Sequence, residues 1–379
     1  MTNKKRVITT AAAALVLAAV SVSRSRISGS LNSQTMAERW QAGELRYSQI
    51  SVFFPAGNSS RGFSETESLE RSVEEKIKQG SFRPDAEGAQ VWTCAYSSVM
   101  TPVSAAVTDD LTGKVKSTGA EVNVVCTGGD FFEFHPLELV SGNYIYENEL
   151  RTDRVVLDEN AAWNIFSSTD VTGMTLWLND TEFEVAGVVK AEDSSSVRKA
   201  YSENPVVYAH FGAAEERCFD ETLLCWEAVL PNPVSNYARN MMLEYFGINT
   251  MTEQEDGKDP ERALDVVIKE NTGRYSLKEL WKGLKDFDRI SVSDRSIAYP
   301  YWENAARING VHMEILFFTA LVSAVYILVM LLCTAGRLYL NRKWHLKDWL
   351  EDMMYKYTYK KRTSDYISLD INESEKRED

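Results

Sequence analysis

The stretch that decides the fold runs from Gly128 to Val189 and reads GGDFFEFHPLELVSGNYIYENELRTDRVVLDENAAWNIFSSTDVTGMTLWLNDTEFEVAGVV. It begins with an aromatic turn, and an apolar strand then ends at Gly142 before a polar loop. The next residues predict a strand over Arg154–Leu157 and a helix over Glu159–Phe166, for which Asp158 is a suitable N-cap. This order indicates a mixed α and β unit, and no general principle converts it into a function.

A β-hairpin closes this stretch. Met174–Leu178 and Glu182–Val189 are its two predicted strands, and they flank Asn179 and Asp180. Because Asn and Asp tolerate the positive φ angles of a tight turn, we predict a two-residue turn between the strands.

Together these pieces resemble the extracytoplasmic core domain of MacB-type ABC transporter permeases. The resemblance rests on their order and spacing, and it extends from about Tyr47 to Val234. Its parts are the Phe-Phe-x-Phe segment of Phe131, Phe132 and Phe134, the step from Leu137 to Gly142, the strand and helix VVLDENAAWNIF, and the hairpin DVTGMTLWLNDTEFEVAGVV.

What the resemblance implies is a mechanical function. In this family, ATP-driven dimerisation of partner ATPase domains moves the outer domain through the membrane helices. The chain would then be a permease-like component of an ABC transport system in a bacterial cell membrane. Its extracytoplasmic domain would relay that motion, or engage a substrate or partner outside.

The segments before this stretch predict the fold class. Tyr47–Phe54 has the pattern of a strand, and Leu69, Val73 and Ile77 mark one face of a helix. With two further strands this gives a β-α-β-β start, which is typical of an α+β domain with helices on one face of a sheet. We predict two subdomains, of which the second is mostly β and is inserted at about residues 141–229.

Further helices are predicted after the hairpin. They cover Asn236–Phe246, Glu261–Glu270 and Leu277–Phe287. Ser296–His312 is predicted as a helix that runs into an apolar segment, with Pro300 as a candidate kink.

The first apolar segment, Val7–Val22, follows the basic residues of Lys4–Arg6. It fits a signal peptide cleaved at Ser21–Ser23, and it also fits an uncleaved anchor. Because the MacB-type family places a transmembrane helix here, we predict an anchor over residues 7–23, with residues 1–6 in the cytoplasm.

The second apolar segment, Ile315–Ala335, contains no charged residue. We predict a transmembrane helix over residues 313–336. A basic cluster follows it, at Arg337, Arg342, Lys343 and Lys347. By the positive-inside rule both termini are then cytoplasmic and residues 24–312 form the extracytoplasmic domain.

Residues 337–379 are predicted as a cytoplasmic tail with an amphipathic helix over residues 344–357. This helix could contact a partner, lie on the membrane surface, or be a flank of the membrane helix that happens to be amphipathic. Its candidate contact residues are Trp344, Trp349, Leu350, Met353 and Tyr357.

Four cysteines fall in the predicted extracytoplasmic domain, and an even count permits two disulfides. Cys218 and Cys225 could close a local loop, and Cys94 and Cys126 could join two strands. Buried thiols are the alternative. The aromatic residues of this domain are predicted to be core residues, at Phe131, Phe132, Phe134, Trp163 and Phe166.

Several function classes find no support in the sequence. The net charge of −14 argues against binding to nucleic acid. No G-x-x-x-x-G-K-[ST] motif is present, so ATP hydrolysis would belong to another polypeptide. The four histidines are scattered, and His135 is predicted to be structural. We expect no enzyme activity, no cofactor, and no catalytic or metal-ligating residue.

The sequence ends after its second predicted membrane helix, whereas the permeases that it resembles have four. We therefore expect it to act as an oligomer in contact with membrane lipid, together with a separate ABC ATPase subunit, a full-length permease, or both. The alternative is a membrane-anchored extracytoplasmic binding, sensor or scaffold protein without transport activity.

Overall fold

The structure is a computed structural model that describes residues 3–29, 31–40, 43–55, 62–83, 89–108, 113–192, 194–200, 205–212, 219, 222–248, 266–285, 297–340 and 349–360. The chain divides into two compact units, one formed by Met1–Val20 with Thr319–Asp379 and the other by Ser21–Phe318.

The described helices are α1 (Asn3–Gly29), α2 (Met36–Trp40), α3 (Phe63–Gln79), α4 (Phe131–Phe134), α5 (Glu159–Phe166), α6 (Ser195–Ala200), α7 (Tyr237–Tyr245), α8 (Leu277–Lys285), α9 (Tyr301–Leu340) and α10 (residues 349–360), with a 3-10 turn at Asn32–Gln34. The described strands are β1 (Tyr47–Phe53), β2 (Thr93–Ser98), β3 (Thr101–Thr108), β4 (Val115–Gly129), β5 (Leu139–Gly142), β6 (Arg154–Asp158), β7 (Thr175–Leu178), β8 (Thr181–Val189), β9 (Val206–His210), β10 (Leu223–Pro231) and β11 (Val267–Glu270).

One half of the sheet has the strand order β11-β1-β10-β2-β4. All residues of β1 are buried, so both faces of the sheet are covered there. On one face, Ile50 and Val52 belong to the main core together with the apolar stripe of α3. This arrangement confirms the predicted strand and helix. The opposite face carries the polar Gln49 and Ser51, which are also buried.

The other half of the sheet closes on itself. Six described strands pair in the order β4-β3-β7-β8-β6-β9, and β9 pairs with β4 to complete the ring. The β6–β8 and β4–β9 pairs are parallel. The predicted insertion at residues 141–229 contains β6 to β9, whereas β3 and β4 come before it in the chain. The α and β composition is confirmed, and the division into two subdomains stays a prediction.

Local signals in the deciding stretch are confirmed. Asp158 caps α5, since its Oδ1 accepts a hydrogen bond from a backbone N–H of the first turn at 2.6 Å. Asn179 and Asp180 form the hairpin turn with φ angles of 45° and 62°. Gly142 has a φ angle of 71°, and a Cβ atom there would lie 2.2 Å from the carbonyl oxygen of Ala186. Glycine is therefore required at this position.

The predicted aromatic core is correct except at one residue. Phe131, Phe132 and Phe134 are buried, and Phe166 packs against the main core. Trp163 is 57% exposed, so its predicted core position is wrong. Residues of a helix are 100° apart, and Trp163 therefore points away from the buried face of α5, which consists of Ala161, Ala162 and Ile165.

Two of the predicted helices are also corrected. The described end of Glu261–Glu270 is strand β11, which pairs antiparallel with β1, so backbone bonds to a distant strand override the local helical pattern. Helix α9 begins at Tyr301, directly after Pro300. Proline lacks a backbone N–H and fits the start of a helix, so Pro300 marks the beginning of α9 instead of a kink within it.

Helices α1 and α9 are long and apolar enough to span a membrane, over Lys4–Gly29 and Tyr301–Leu340. Both are longer than the predicted segments at residues 7–23 and 313–336. Within the unit formed by Met1–Val20 and Thr319–Asp379, the hydroxyl of Tyr326 donates a hydrogen bond to Oγ1 of Thr9 at 2.7 Å. This bond joins the two apolar helices.

Candidate functional site

The first turns of α9 are embedded in the Ser21–Phe318 unit, at a site that we call the α9 junction. We define the junction by Gln34, His135, Glu227, Arg274, Trp302, Glu303 and Arg307. The side-chain amide of Asn304 donates to the carbonyl oxygen of Tyr299 at 3.0 Å and stabilises the start of the helix. The buried residues of these turns are Tyr301, Trp302, Glu303, Ala305, Ala306 and Asn309. The helix therefore starts inside the domain and not at its surface.

The centre of the junction is a buried ion cluster around Glu303. Arg274 donates two hydrogen bonds to its carboxylate, NH1 to Oε2 at 2.7 Å and NH2 to Oε1 at 2.9 Å. Arg307, one helical turn further on, donates its Nε–H to Oε1 at 3.1 Å. Oε1 of Gln34 accepts a further bond from NH1 of Arg274 at 3.0 Å. The cluster thus joins α9, the turn after β11, and the segment after α1.

The electrostatics of the cluster favour its charged form. Burial by itself raises the pKa of Glu303, but the guanidinium groups of Arg274 and Arg307 outweigh it and hold that pKa below its ordinary value. Burial likewise opposes the charge on Arg274, and the Glu303 carboxylate reverses this and raises the pKa of Arg274. The guanidinium carbon of Arg307 lies 3.5 Å from the centroid of the Tyr299 ring, which adds a cation–π contact.

Aromatic rings connect α9 to the Phe-Phe-x-Phe turn. The ring centroid of Trp302 lies 4.4 Å from that of His135 and 5.7 Å from that of Phe131. The hydroxyls of Tyr301 and Tyr208 are 3.0 Å apart. The aromatic turn is therefore both a core element, as predicted, and the surface on which the first turn of α9 rests.

A chain of buried polar side chains runs from this turn into the sheet. Nε2 of His135 is 2.6 Å from Oε2 of Glu227 on β10. Oε1 of Glu227 accepts a hydrogen bond from the hydroxyl of Ser51 on β1 at 2.6 Å. That hydroxyl accepts one from the side-chain amide of Asn271 at 2.7 Å. Asn271 in turn accepts a backbone bond from Arg274 at 3.1 Å, which closes the path back to the ion cluster.

The segment that follows α1 enters the same network. Nε2 of Gln49 on β1 donates to the carbonyl oxygen of Ser33 at 2.7 Å, and Oε1 accepts from the backbone N–H of Met36 at 2.9 Å. The guanidinium of Arg39 on α2 donates to the carbonyl oxygen of Glu133 in α4. The segment after α1 and the first turns of α9 are therefore linked by the same network of hydrogen bonds.

This arrangement holds separate elements of the domain together. His135 and Glu227 are both buried, so the pair is shielded from solvent. Within the described ranges, no group of three or more His, Cys, Asp or Glu side chains could hold a metal ion. What the network provides is a set of directional, charge-assisted hydrogen bonds between separate elements.

A cavity of about 810 Å³ lies elsewhere in the domain, between α3 and the start of β2. Glu70, Cys94, Asp130 and Glu147 are among its lining residues. Burial raises the pKa of Glu70, and burial together with the nearby Glu70 carboxylate raises the pKa of the Cys94 thiol. A thiol that stays protonated is a poor nucleophile, so Cys94 is not activated as one.

The predicted disulfide between Cys94 and Cys126 is not formed. Strands β2 and β4 pair with Ser97 opposite Thr127, which places Cys126 opposite Ser98 and four positions from Cys94. Four residues along a strand span about 13 Å, whereas disulfides require Cα atoms within about 7 Å. Cys225 also carries a thiol, and Cys218 lies outside the described residues, so that pairing stays untested.

The predicted contact helix of the tail is partly described. Trp349, Leu350, Met353 and Tyr357 lie on α10, and all are exposed. Trp344 lies outside the described residues.

Most residues of the α9 junction have no local sequence signal that identifies them. Glu303 and Arg307 are four positions apart on one helix, and this spacing is a recognisable signal for an ion pair. Arg274 pairs with Glu303 across 29 positions, and no local pattern in the sequence connects them.

The family model of the MacB-like periplasmic core domain matches residues 7–265, which confirms the resemblance found in the sequence. The matched residues include Gln34, His135 and Glu227, whereas Arg274 and Glu303 follow them in the chain.

Among solved structures, the chain is similar to the periplasmic region of MacB from Actinobacillus actinomycetemcomitans, with 18% identity, 61% of this chain and 92% of that chain covered, and a TM-score of 0.37. It is also similar to the extracellular domain of the noncanonic ABC-type transporter YknZ from Gram-positive bacteria, with 10% identity, coverages of 58% and 99%, and a TM-score of 0.34. The comparison with curated proteins gave no match.

Proposed function

Because the chain belongs to the family of MacB-like periplasmic core domains, we propose that it is a permease-like component of an ABC transport system whose extracytoplasmic domain relays motion from the membrane helices. The family assignment and the two candidate transmembrane helices make it a membrane protein with an extracytoplasmic domain. The proposal concerns what that domain does.

One observation carries the proposal: both apolar helices continue into the network of the α9 junction. Helix α9 is a single helix of 40 residues that begins in the junction and contains the apolar segment. Its Glu303 is bonded to Arg274, which is bonded in turn to Gln34 behind α1. In the proposal, a shift of α9 acts on these side chains through Glu303, and a shift of α1 reaches them through Gln34 in the segment behind it.

The energetics of the junction support transmission of such a shift. Separating Arg274 from Glu303 would leave the Arg274 guanidinium buried without its counter-charge, which costs about 3–5 kcal/mol. Moving the attached elements along with the helix avoids that cost. The elements that would follow are β1, β10 and the aromatic turn α4, because they share the polar chain from His135 to Asn271.

The proposal includes a partner that hydrolyses ATP, since the sequence has no phosphate-binding loop of its own. The partner would be a separate ABC ATPase subunit, a full-length permease, or both, assembled as an oligomer. Both termini would be cytoplasmic, and the exposed face of α10 is available there as a contact. This face includes Trp349, Leu350, Met353 and Tyr357.

The first test is purification of the tagged full-length chain in mild detergent, followed by mass spectrometry of the proteins that accompany it. We expect an ABC ATPase or a multi-helix permease. A well-folded chain that recovers neither would overturn the proposal in favour of a membrane-anchored binding or scaffold protein.

The second test addresses the relay in the purified complex. We expect ATP with vanadate to change hydrogen exchange at Phe131–His135 in the wild type, and this change to be lost in Glu303→Gln. Glu244→Ala is the control, because Glu244 pairs with Lys76 at the surface of the same domain. A nucleotide response that persists unchanged in Glu303→Gln would contradict a relay through the junction.

A further inference from the structure

Helix α8 is amphipathic, and its apolar side is only partly covered by the protein. Its sequence is LKELWKGLK. Leu280 is buried, whereas Leu277 is 62% exposed and Trp281 is 47% exposed. At 100° per residue these three apolar side chains share one face, and the exposed Lys278 and Lys282 lie on the other side. The side chains of Leu277 and Trp281 are therefore accessible from outside the protein.

The contacts of α8 show where this exposed face lies in the molecule. The ring of Trp281 meets the ring of Phe317 edge-on, with centroids 6.3 Å apart. Gly283 lies so close to α9 that an added Cβ would be 2.3 Å from Oε1 of Glu314. The guanidinium carbon of Arg24, on α1, lies 5.7 Å from the centroid of the same Phe317 ring. Helix α8 therefore packs where the apolar part of α9 begins.

From this placement we propose that α8 is a membrane-interface helix, with Leu277 and Trp281 inserted among lipids and Lys278 and Lys282 directed to anionic phospholipid headgroups. A side chain that packs on Phe317 shares the depth of that residue, and Phe317 belongs to the apolar segment Ile315–Ala335. Tryptophan is enriched at this depth, because its ring is amphipathic.

The charge of α8 also supports contact with a membrane surface. The chain as a whole carries a net charge of −14, yet this helix combines an apolar face with three lysines in its sequence against one acidic residue, Glu279. That combination is typical of helices that lie in the plane of a membrane surface and bind anionic lipids. The inference depends on α9 spanning the membrane and is independent of any relay or ATPase partner.

The test uses the full-length chain in lipid nanodiscs that contain phosphatidylglycerol. Leu277→Cys and Glu279→Cys are labelled with an environment-sensitive fluorophore, and the unsubstituted protein supplies the background of the native cysteines. Both positions are exposed, and they lie on opposite sides of α8, which makes them a matched pair.

We expect nitroxide-labelled lipids to quench the probe at Leu277→Cys several-fold more strongly than the probe at Glu279→Cys, and aqueous iodide to show the reverse order. Equal access of iodide to both probes would overturn the proposal, because neither would be in lipid. A probe at Leu277→Cys that is shielded from both quenchers would also overturn it, since a protein partner would then cover this face.

The headgroup contact is tested separately. Replacing phosphatidylglycerol by phosphatidylcholine should weaken lipid quenching at Leu277→Cys, and the double change Lys278→Gln with Lys282→Gln should remove this dependence on headgroup charge. If quenching at Leu277→Cys still depended on headgroup charge after the loss of both lysines, the proposed contact between these lysines and the headgroups would be wrong.

Discussion

Glu303 and Arg274 are joined by two hydrogen bonds, of 2.7 and 2.9 Å, although 29 positions separate them and their side chains are only 1% and 10% exposed. Arg307 and Gln34 add one bond each to this pair. A buried pair with additional partners has most of its hydrogen-bonding capacity satisfied, which is the condition under which buried charges are tolerated. The pair therefore fixes the start of α9 to the sheet and to the segment behind α1.

Removal of the Glu303 carboxylate should destabilise the domain strongly. For Glu303→Ala we expect a loss of about 3–5 kcal/mol in the free energy of unfolding, because Arg274 is left buried without its counter-charge. Urea denaturation of the full-length protein in detergent, followed by tryptophan fluorescence, measures this loss. Glu244→Ala breaks an exposed ion pair and should leave the free energy nearly unchanged. Similar losses of unfolding free energy in Glu303→Ala and Glu244→Ala would contradict a large contribution of the buried pair to stability.

The same pair should make stability depend on pH in a defined direction. The pKa of Glu303 lies below its ordinary value of 4.5 in the folded protein, so the unfolded chain takes up the proton first as the pH falls. Its contribution to stability is therefore complete above pH 4.5 and is lost as the pH falls through the lower, folded-state pKa. We expect the stability difference between wild type and Glu303→Gln to be constant near neutral pH and to shrink in strong acid. A difference that grows with acidification would show the opposite sign of the pKa shift.

Two aromatic residues of the deciding stretch should respond very differently to truncation. Phe132 is 6% exposed and Trp163 is 57% exposed. Phe132→Ala should cost about 3–5 kcal/mol through lost burial and a cavity, whereas Trp163→Ala should stay within about 0.5 kcal/mol. Thermal midpoints of the two variants in the same detergent provide the comparison. If Trp163→Ala lost as much stability as Phe132→Ala, Trp163 would have to be a core residue.

Features with a local cause could be predicted from the sequence. The Asp158 cap, the Asn179-Asp180 turn and the need for glycine at position 142 each depend on the residue type and its neighbours in the chain. The family resemblance rested on the order of such local features, and it was confirmed over residues 7–265.

Features with a distant cause could not be predicted. Residues 267–270 form a strand because β1 offers them backbone partners more than 200 positions away, and local propensity is overridden. The pairing of Arg274 with Glu303 also depends on a distant residue, since nothing in the sequence next to Arg274 indicates its partner. For cysteines, even a correct assignment to strands was not enough, because the register of β2 and β4 decides which residues face each other.

Gly142 and Gly173 allow backbone strain and steric overlap to be separated. Both have positive φ angles, of 71° and 82°, so alanine is strained at either position by about 1–2 kcal/mol. An added Cβ at Gly173 has no neighbour within 4 Å, whereas at Gly142 it would lie 2.2 Å from the carbonyl oxygen of Ala186 on β8. Because that oxygen belongs to a backbone held in the sheet, it cannot move aside without disturbing the β5–β8 pairing.

We therefore expect Gly142→Ala to lower the free energy of unfolding by about 1–3 kcal/mol more than Gly173→Ala does. Urea denaturation of both variants measures the difference, and hydrogen exchange at Leu139–Gly142 should increase in Gly142→Ala alone. Equal losses in the two variants would mean that the loop before β6 relaxes freely, and the close approach of β5 to β8 would then contribute nothing to stability.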